Sequence, residues 1–263
     1  MRGGNRDRWQ MVWLAWQLAR RDWQGRYRGA QFGALWALLT PLLMLAVYLL
    51  ALGPLLQGRW PGVQGWPALG LMLYSGLAVH GLFAECLARA PQLVAAQPGY
   101  VRRVRFPLAL LAWPALLAAL AQFAMQLLVL LLVLPFVHGM SLTLLALPVV
   151  LLPMVPLLLA VLWAGGALGV YLRDLGQLVA PVSTVTLFLS SALVPLHAVP
   201  LPWRWLFAIN PLTPIIDQLR RVLFQGLWPQ WPVLLGYLVL ALLLAIAARL
   251  LFNRLQPGFA DVV

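Results

Sequence analysis

Lysine is absent from this chain, and its 18 basic residues are all arginines. A phosphate-binding loop of the Gly-x-x-x-x-Gly-Lys-Ser/Thr type requires a lysine, so the chain cannot itself be a P-loop ATPase. A Schiff-base lysine is excluded for the same reason. The sequence therefore excludes two common kinds of catalytic site.

Acidic residues, histidine and cysteine are also scarce, with 6, 3 and 1 copies in 263 residues. The single cysteine, Cys86, can form neither an internal disulfide nor a cysteine metal cluster, and we interpret it as a small packing residue. His80, His138 and His197 belong to three separate segments, whereas a metal site requires converging ligands. No pair of carboxylates suggests acid–base catalysis. We therefore predict no catalytic residue, no metal and no cofactor.

Charged residues make up only 9% of the chain and hydrophobic residues 63%, whereas about a quarter of a soluble domain is charged. Such a chain needs lipid as its solvent, and in lipid only helices or closed barrels satisfy their backbone groups. The apolar stretches are long and continuous, which favours helices over the alternating strands of a barrel. The composition predicts an all-α integral membrane protein.

The net charge of +12 is compatible with binding to nucleic acid. The arginines, however, cluster beside apolar stretches and form no separate basic domain. We interpret them as topology signals and as contacts to lipid headgroups, so the predicted partner is the lipid bilayer and not nucleic acid.

The apolar stretches predict a single transmembrane domain over residues 1–263 with six spans. Residues 9–30 have an aromatic face and are expected to form an amphipathic helix in the membrane interface. The predicted spans are 33–56, 66–88, 107–137, 142–172, 176–195 and 231–250. A polar break at residues 138–141 separates the third from the fourth. With both termini in the cytoplasm, 14 arginines lie inside and 4 outside, which satisfies the positive-inside rule.

Residues 196–228 are rich in proline and yet strongly apolar. Thr213 is the expected N-cap of a helix, with Pro214 at its first position and Asp217 in its first turn. An exposed loop would be more polar, so the segment is predicted to form re-entrant helices that enter the membrane from the outer face.

Glu85 and Arg89 lie four residues apart near the inner end of the second span, with the acid first, which favours an ion pair within a helix. We interpret them as such a pair. The alternative is a contact that couples the adjacent basic loop to a motor protein. The 13 tryptophans and 6 tyrosines similarly allow two interpretations, an interfacial belt or a path for sugar rings.

Five stretches taken together resemble the polysaccharide and polyol-phosphate export permeases, within the type-2 ABC transporter permease family. They are RDWQGRYRGAQFGALW at 21–36 followed by TPL at 40–42, VRRVRFP at 101–107, YLRDLGQ at 171–177, NPLTP at 210–214 and PGFAD at 257–261. The resemblance extends over nearly the whole chain and is strongest to the O-antigen exporter branch. Residues 97–100, QPGY, depart from the pattern, because an asparagine and aliphatic residues are expected there.

The resemblance implies a homodimer that works with two copies of a separate ATP-binding subunit, so ATP is bound by the partner. It further implies export of an undecaprenyl-diphosphate-linked polysaccharide from the cytoplasm to the periplasm, across the bacterial inner membrane. Export of capsular polysaccharide, teichoic acid or drugs on the same scaffold is the first alternative. A membrane enzyme acting on lipid-linked sugars is the second.

Three groups of residues receive roles from this resemblance. Those expected to line the substrate path and contact its headgroup are Arg26, Tyr27, Arg28 and Trp36. Those expected to couple the permease to the ATPase are Glu85, Arg89, Arg102, Arg103 and Arg105. Those expected to form an outer gate are Asn210, Pro211, Thr213, Pro214, Asp217 and Arg220.

Overall fold

The computed structural model describes residues 35–52, 65–97 and 107–262, except the side chains of residues 52, 260 and 261, together with isolated positions between residues 13 and 55. Within these ranges the regular structure is helical and no strand occurs, which confirms the predicted all-α class. The α-helices are α1 (Trp36–Val47), α2 (Trp66–Arg89), α3 (Ala112–Val137), α4 (Leu147–Leu151), α5 (Met154–Tyr171), α6 (Leu175–Phe188), α7 (Arg204–Ile209), α8 (Thr213–Phe224), α9 (Trp231–Leu255) and α10 (Phe259–Val262).

Four helical stretches among the described residues are long and apolar enough to cross a membrane. They are Trp66–Gln92, Leu108–Val137, Leu142–Tyr171 and Trp231–Gly258. Two shorter apolar stretches, Trp36–Ala51 and Leu175–Phe188, overlap the first and fifth predicted spans. By their length and composition these helices indicate a multi-pass membrane protein, whereas the number of six spans stays a prediction.

The helix α6 ends earlier than the predicted fifth span, which continued to residue 195. After Phe188 the chain turns, and the last carbonyls of α6 are taken by side chains. Ser190 Oγ donates to the carbonyl oxygen of Leu187 at 2.8 Å, and Asn210 Nδ2 donates to that of Thr186 at 2.8 Å. These bonds satisfy two of the carbonyls that have no partner within the helix at its end.

The predicted interfacial helix at residues 9–30 lies mostly outside the described residues. The backbone is helical at Trp13, Gln17, Arg20, Arg21 and Gly25. Its position in the membrane interface stays a prediction.

The helix α2 lies at the centre of the bundle. In the most apolar part of the Trp66–Gln92 stretch 56% of the residues are buried, against 28% in that of the Trp231–Gly258 stretch, which contains α9. Its Gly70 allows close contact with Leu49, and its Tyr74 Oη donates to the carbonyl oxygen of Gln126 on α3 at 3.1 Å. The Cys86 thiol is fully buried, which confirms its interpretation as a packing residue. Among the described helices, α2 contacts α1, α3, α5, α6 and α8, whereas α9 packs mainly on α5.

The contact between α5 and α9 is built from small residues. Ala160 of α5 packs against Ala245 and Ala248 of α9, so that the two backbones approach closely. Trp163 Nε1 donates to the carbonyl oxygen of Ala109 at 2.9 Å, and the Arg249 guanidinium lies 5.3 Å from the centroid of the Trp163 ring. The opposite face of α9 exposes a run of large aliphatic side chains, as expected of a surface in contact with lipid.

The bundle has two ends. We call the end at which α3 ends and α9 begins the distal end, and the end at which α2 ends and α3 begins the proximal end. The break predicted at residues 138–141 lies at the distal end, where α3 stops at Val137 and Gly139 adopts a φ of 85°. Only glycine adopts this conformation without strain, which explains a sharp turn at this position.

Candidate functional site

Most residues of the predicted outer gate meet at the distal end, where α8 packs against α2 and the turn that follows α6. The helix α8 begins at Thr213 and not at Pro214, and Asp217 lies beyond its first turn. The predicted positions of Thr213, Pro214 and Asp217 in the helix were therefore each wrong by one residue. The reason is that Thr213 does not cap its own helix: its Oγ1 accepts from the backbone N–H of Ser191 at 3.3 Å.

Asn210 fixes the entrance to α8. Its Oδ1 accepts from the backbone N–H of Leu212 at 2.9 Å, which forms a local turn, while its Nδ2 donates to the carbonyl oxygen of Thr186 on α6. The side chain is buried at 7% exposure. One amide therefore closes the turn before α8 and also satisfies a carbonyl near the end of α6.

Replacing Asn210 with alanine is expected to lower the free energy of unfolding by about 1–3 kcal/mol, because it leaves a half-buried carbonyl and a buried N–H without their partner. The matched control is Asn253→Ala, since Asn253 is exposed on α9 and alanine favours helix. Thermal unfolding followed by tryptophan fluorescence in detergent measures both. Equal melting temperatures for the two variants would contradict the role of Asn210.

Arg220 is buried at 4% exposure and donates to three backbone carbonyls on two other elements. Its Nε and Nη2 reach the carbonyl oxygen of Met72 on α2 at 3.2 and 2.9 Å. Its Nη1 donates to the carbonyl of Ser191, and Nη2 also donates to that of Ala192 at 2.8 Å. Asp217, one turn earlier on α8, carries the opposite charge.

The carbonyls of Ser191 and Ala192 need such a donor because α6 has already ended and neither residue is exposed. A guanidinium carries five N–H donors in a planar fork, and can therefore serve several acceptors at once. The residues of the turn that follows α6 were missed from the sequence. Adjacent serines after an apolar helix are a weak signal of such a turn.

Gly76 of α2 makes the close approach of these elements possible. A Cβ atom at this position would lie 2.6 Å from Nη2 of Arg220 and 2.9 Å from the Cα of Ala192. No side chain fits there without displacing backbone. This glycine was not singled out from the sequence, because its requirement comes from a neighbour that lies 144 positions further along the chain.

The C-terminal end of α8 is held by the turn between α3 and α4. The His138 ring bonds the carbonyl of Phe224 through Nε2, and Thr143 Oγ1 donates to the carbonyl oxygen of Val222 at 2.8 Å. Such carbonyls have no partner within the helix. The polar break at residues 138–141 was predicted only as a turn, and the structure adds that its neighbourhood caps α8. At the start of α9, Gln218 and Gln230 exchange two hydrogen bonds.

At the proximal end, Glu85 and Arg89 form the predicted ion pair, with 3.2 Å between Oε1 and Nη2. The chain then continues as a single 3-10 turn, Ala90–Gln92, that rests on α5. A Cβ at Gly169 would lie 2.1 Å from the carbonyl oxygen of Pro91, and one at Gly165 would lie 2.5 Å from the Cβ of Ala90. The end of α2 is therefore seated directly on the backbone of α5.

Six other predicted site residues lie outside the described part of the chain. They are Arg26, Tyr27, Arg28, Arg102, Arg103 and Arg105. Trp36 begins α1, is half-buried and stacks edge-to-face on Phe32, with 6.0 Å between ring centroids. Within the described ranges no three His, Cys, Asp or Glu side chains lie close enough to hold a metal ion.

Known proteins resemble this chain over most of its length. The family model for the ABC-2 type transporter matches residues 14–224, which include α8 and the parts of α2 and α6 that it meets at the distal end. The O-antigen export system permease protein RfbA of Myxococcus xanthus is 25% identical over 262 residues, which cover 98% of each chain. The chain therefore belongs to the ABC-2 type transporter family, and is a multi-pass membrane permease of a kind that works with an ATP-binding subunit.

Proposed function

We propose that two copies of this permease export an undecaprenyl-diphosphate-linked polysaccharide of the O-antigen type from the cytoplasm to the periplasm. Two copies of a separate ATP-binding subunit drive the export across the bacterial inner membrane. The observation that carries this proposal is the similarity to an O-antigen export permease over 98% of the chain. The five sequence stretches listed above point in the same direction.

The chain contributes a conduit and no catalysis of its own. It lacks lysine, so that ATP must be bound and hydrolysed by the partner subunit. The purified permease is therefore expected not to hydrolyse ATP on its own, and no cofactor is proposed for this chain.

A second copy of the chain supplies the other wall of the path. Among the described residues α6 buries none of its side chains, although its sequence is apolar. It exposes Leu178, Val182, Val185 and Phe188, together with hydroxyls that bond their own helix, such as Thr184 Oγ1 to the carbonyl oxygen of Ala180. A helix of this composition fits the boundary between a second copy and a polar path better than a surface packed within one chain.

The topology of six spans places both termini in the cytoplasm, the distal end on the periplasmic side and residues 196–228 as a re-entrant outer gate. The turn that follows α6 supports this arrangement. Ser190, Ser191 and Ala192 are not helical and have no exposed surface, and their polar groups are satisfied by Leu187, Thr213 and Arg220. Non-helical backbone at membrane depth is tolerated when protein surrounds it in this way.

The cytoplasmic arginines suit the headgroup of the substrate. Arg26 and Arg28, with Tyr27 and Trp36 beside them, are proposed to receive the diphosphate, because guanidinium groups bind phosphate oxygens in pairs of charged hydrogen bonds. Aromatic side chains next to them offer flat surfaces to sugar rings.

The substrate is tested by purifying the permease with its ATP-binding partner from native membranes and identifying bound lipids by mass spectrometry. We expect an undecaprenyl-diphosphate glycan, and ATP hydrolysis that requires the partner. Recovery of a capsular or teichoic polymer, or hydrolysis stimulated by drugs alone, would support the alternative exporters. Chemical conversion of a lipid-linked sugar by the permease alone would support an enzyme.

Coupling to the ATPase is predicted to depend on the cytoplasmic basic loop. The double substitution of Arg102 and Arg103 by glutamate reverses two charges on the surface proposed to contact the partner. Export in cells should be lost while the permease remains in the membrane. Arg59→Glu, on the opposite side of the proposed topology, is the control and should retain export. Survival of both export and complex assembly in the double variant would contradict the assignment.

A further inference from the structure

Arg220 differs from the other described arginines near it in what it binds. Arg221 donates from Nε to the carbonyl oxygen of Trp228 at 2.9 Å, and Arg204 donates to those of Val199 and His197 at 2.8 and 2.9 Å. These bonds stay within seven residues of the donor. The bonds of Arg220 instead reach across 148 residues to Met72 and across 29 to Ser191. Arg220 therefore joins elements, whereas its neighbours close local turns.

The helix α2 offers a rigid connection from this joint to the proximal end. It is continuous over 24 residues with no proline beyond its first turn. From Met72 to Arg89 it extends about 26 Å at the usual helical rise. At its proximal end it carries the Glu85–Arg89 pair and the turn seated on α5. A displacement of that end is carried along the whole helix to the carbonyl held by Arg220.

The helix α6 contacts α2 at a second point. The His80 ring bonds the carbonyl oxygen of Ser183 through Nε2 at 3.0 Å, about two turns of α2 from Met72. Arg220 links α8 to both α2 and α6, because its guanidinium bonds the carbonyl of Met72 and the carbonyls of the turn after α6 at the same time. The contact is tightly packed, because a Cβ atom at Gly76 would overlap the guanidinium.

We propose that Arg220 is a positioning residue that locks α8 to α2 and to the end of α6, so that movement of α2 at the ATPase side is transmitted to residues 196–228. The inference rests on the proposed function in that an ATP-binding subunit drives the permease from the proximal end. It concerns transmission through the protein, and does not depend on which molecule is exported.

The test uses one fluorescent reporter beyond the proximal end of α2 and another in the 196–228 segment at the distal end. Single cysteines replace Ile209, which is exposed at the end of α7, and Gln97, which is exposed beyond the proximal turn. Both are made in a Cys86→Ala background and labelled with an environment-sensitive fluorophore. The full complex with the ATP-binding subunit is placed in lipid nanodiscs, and the emission is compared with and without a non-hydrolysable ATP analogue.

With Arg220 intact, nucleotide should shift the emission at both positions. In Arg220→Met the shift at position 97 should persist while that at position 209 is lost, because α8 is no longer held to α2 and to the turn after α6 by this guanidinium. Arg221→Met, which removes an equal charge from the next position, should leave both shifts unchanged. Arg220→Lys keeps the charge but loses the planar fork, so an intermediate shift at position 209 is expected.

Three results would overturn the proposal. The first is a shift at position 209 that is the same in Arg220→Met and Arg221→Met. The second is loss of both shifts together, which indicates a structural role alone. The third is the absence of any shift at position 209 with Arg220 intact. If Arg220→Met does not accumulate, Arg220→Lys decides in its place, and an undiminished shift would count against the proposal. Because no exported molecule is added, an error in the proposed glycan substrate leaves these outcomes interpretable.

Discussion

Gly169→Ala is expected to destabilise the permease by about 1–3 kcal/mol or more, which is the usual range for inserting an atom into a well-packed contact. The added Cβ would lie 2.1 Å from the carbonyl oxygen of Pro91 and 2.7 Å from its C and Cα atoms. All three are backbone atoms, so that no change of rotamer relieves the overlap. Either α5 or the Ala90–Gln92 turn must move.

Gly236→Ala is the matched control, because Gly236 is also within an apolar helix but has no heavy atom within 4 Å of its Cβ position. Alanine should be neutral or slightly stabilising there. Thermal unfolding of the two purified variants in the same detergent gives the comparison. If Gly169→Ala melts at the temperature of Gly236→Ala, the seating of the α2 end on α5 is not as close as described. The proximal turn leads directly to the proposed coupling loop, so Gly169→Ala should also impair export.

Phe259→Ala is expected to cost about 3–5 kcal/mol, as for other fully buried aromatic residues. The Phe259 side chain has no exposed surface and meets Phe252 edge-to-face, with 5.4 Å between ring centroids and 87° between ring planes. Tyr171 closes the other side at 6.0 Å, and its Oη donates to the carbonyl oxygen of Leu255 at 2.9 Å. The ring thus holds the segment after α9 against the end of α5.

Val262→Ala provides the control for Phe259→Ala, because Val262 is in the same short helix α10 and is 43% exposed. It should change the melting temperature little. Equal effects of the two substitutions would mean that the segment after α9 is not docked through Phe259. Tyr171→Phe isolates the hydrogen bond to Leu255 and should cost about 1 kcal/mol.

The sequence predicted features that depend on residue type or on neighbours along the chain. The scarcity of charge predicted an all-helical membrane protein, and the spacing of Glu85 and Arg89 predicted their ion pair. Residues 138–141 predicted the break after α3 because a polar group and a glycine stand between two apolar runs. In each case the controlling interaction is local or belongs to the whole composition, and can be seen without a fold.

Features fixed by contacts with backbone could not be predicted in this way. Arg220 was assigned to an outer gate, but its binding of three carbonyls depends on where α2 and the turn after α6 come to lie. Thr213 matched an N-cap, yet its hydroxyl serves Ser191, because the tertiary partner is available and the helix begins one residue earlier. The carbonyl of Thr186 near the end of α6 is satisfied by Asn210, which lies 24 positions further along the chain. A residue-type pattern carries no information on such acceptors.

The use of main-chain oxygens by Arg220 has a consequence for the mutational tolerance of its surroundings. Every residue offers a carbonyl, so the side chain of Met72 can be exchanged for other apolar side chains without removing the acceptor. Gly76 and Arg220 have no such freedom, because one must lack a Cβ and the other must carry the fork of donors. Saturation mutagenesis across residues 72–76 should therefore show that position 72 tolerates other side chains and that position 76, a single helical turn away, does not.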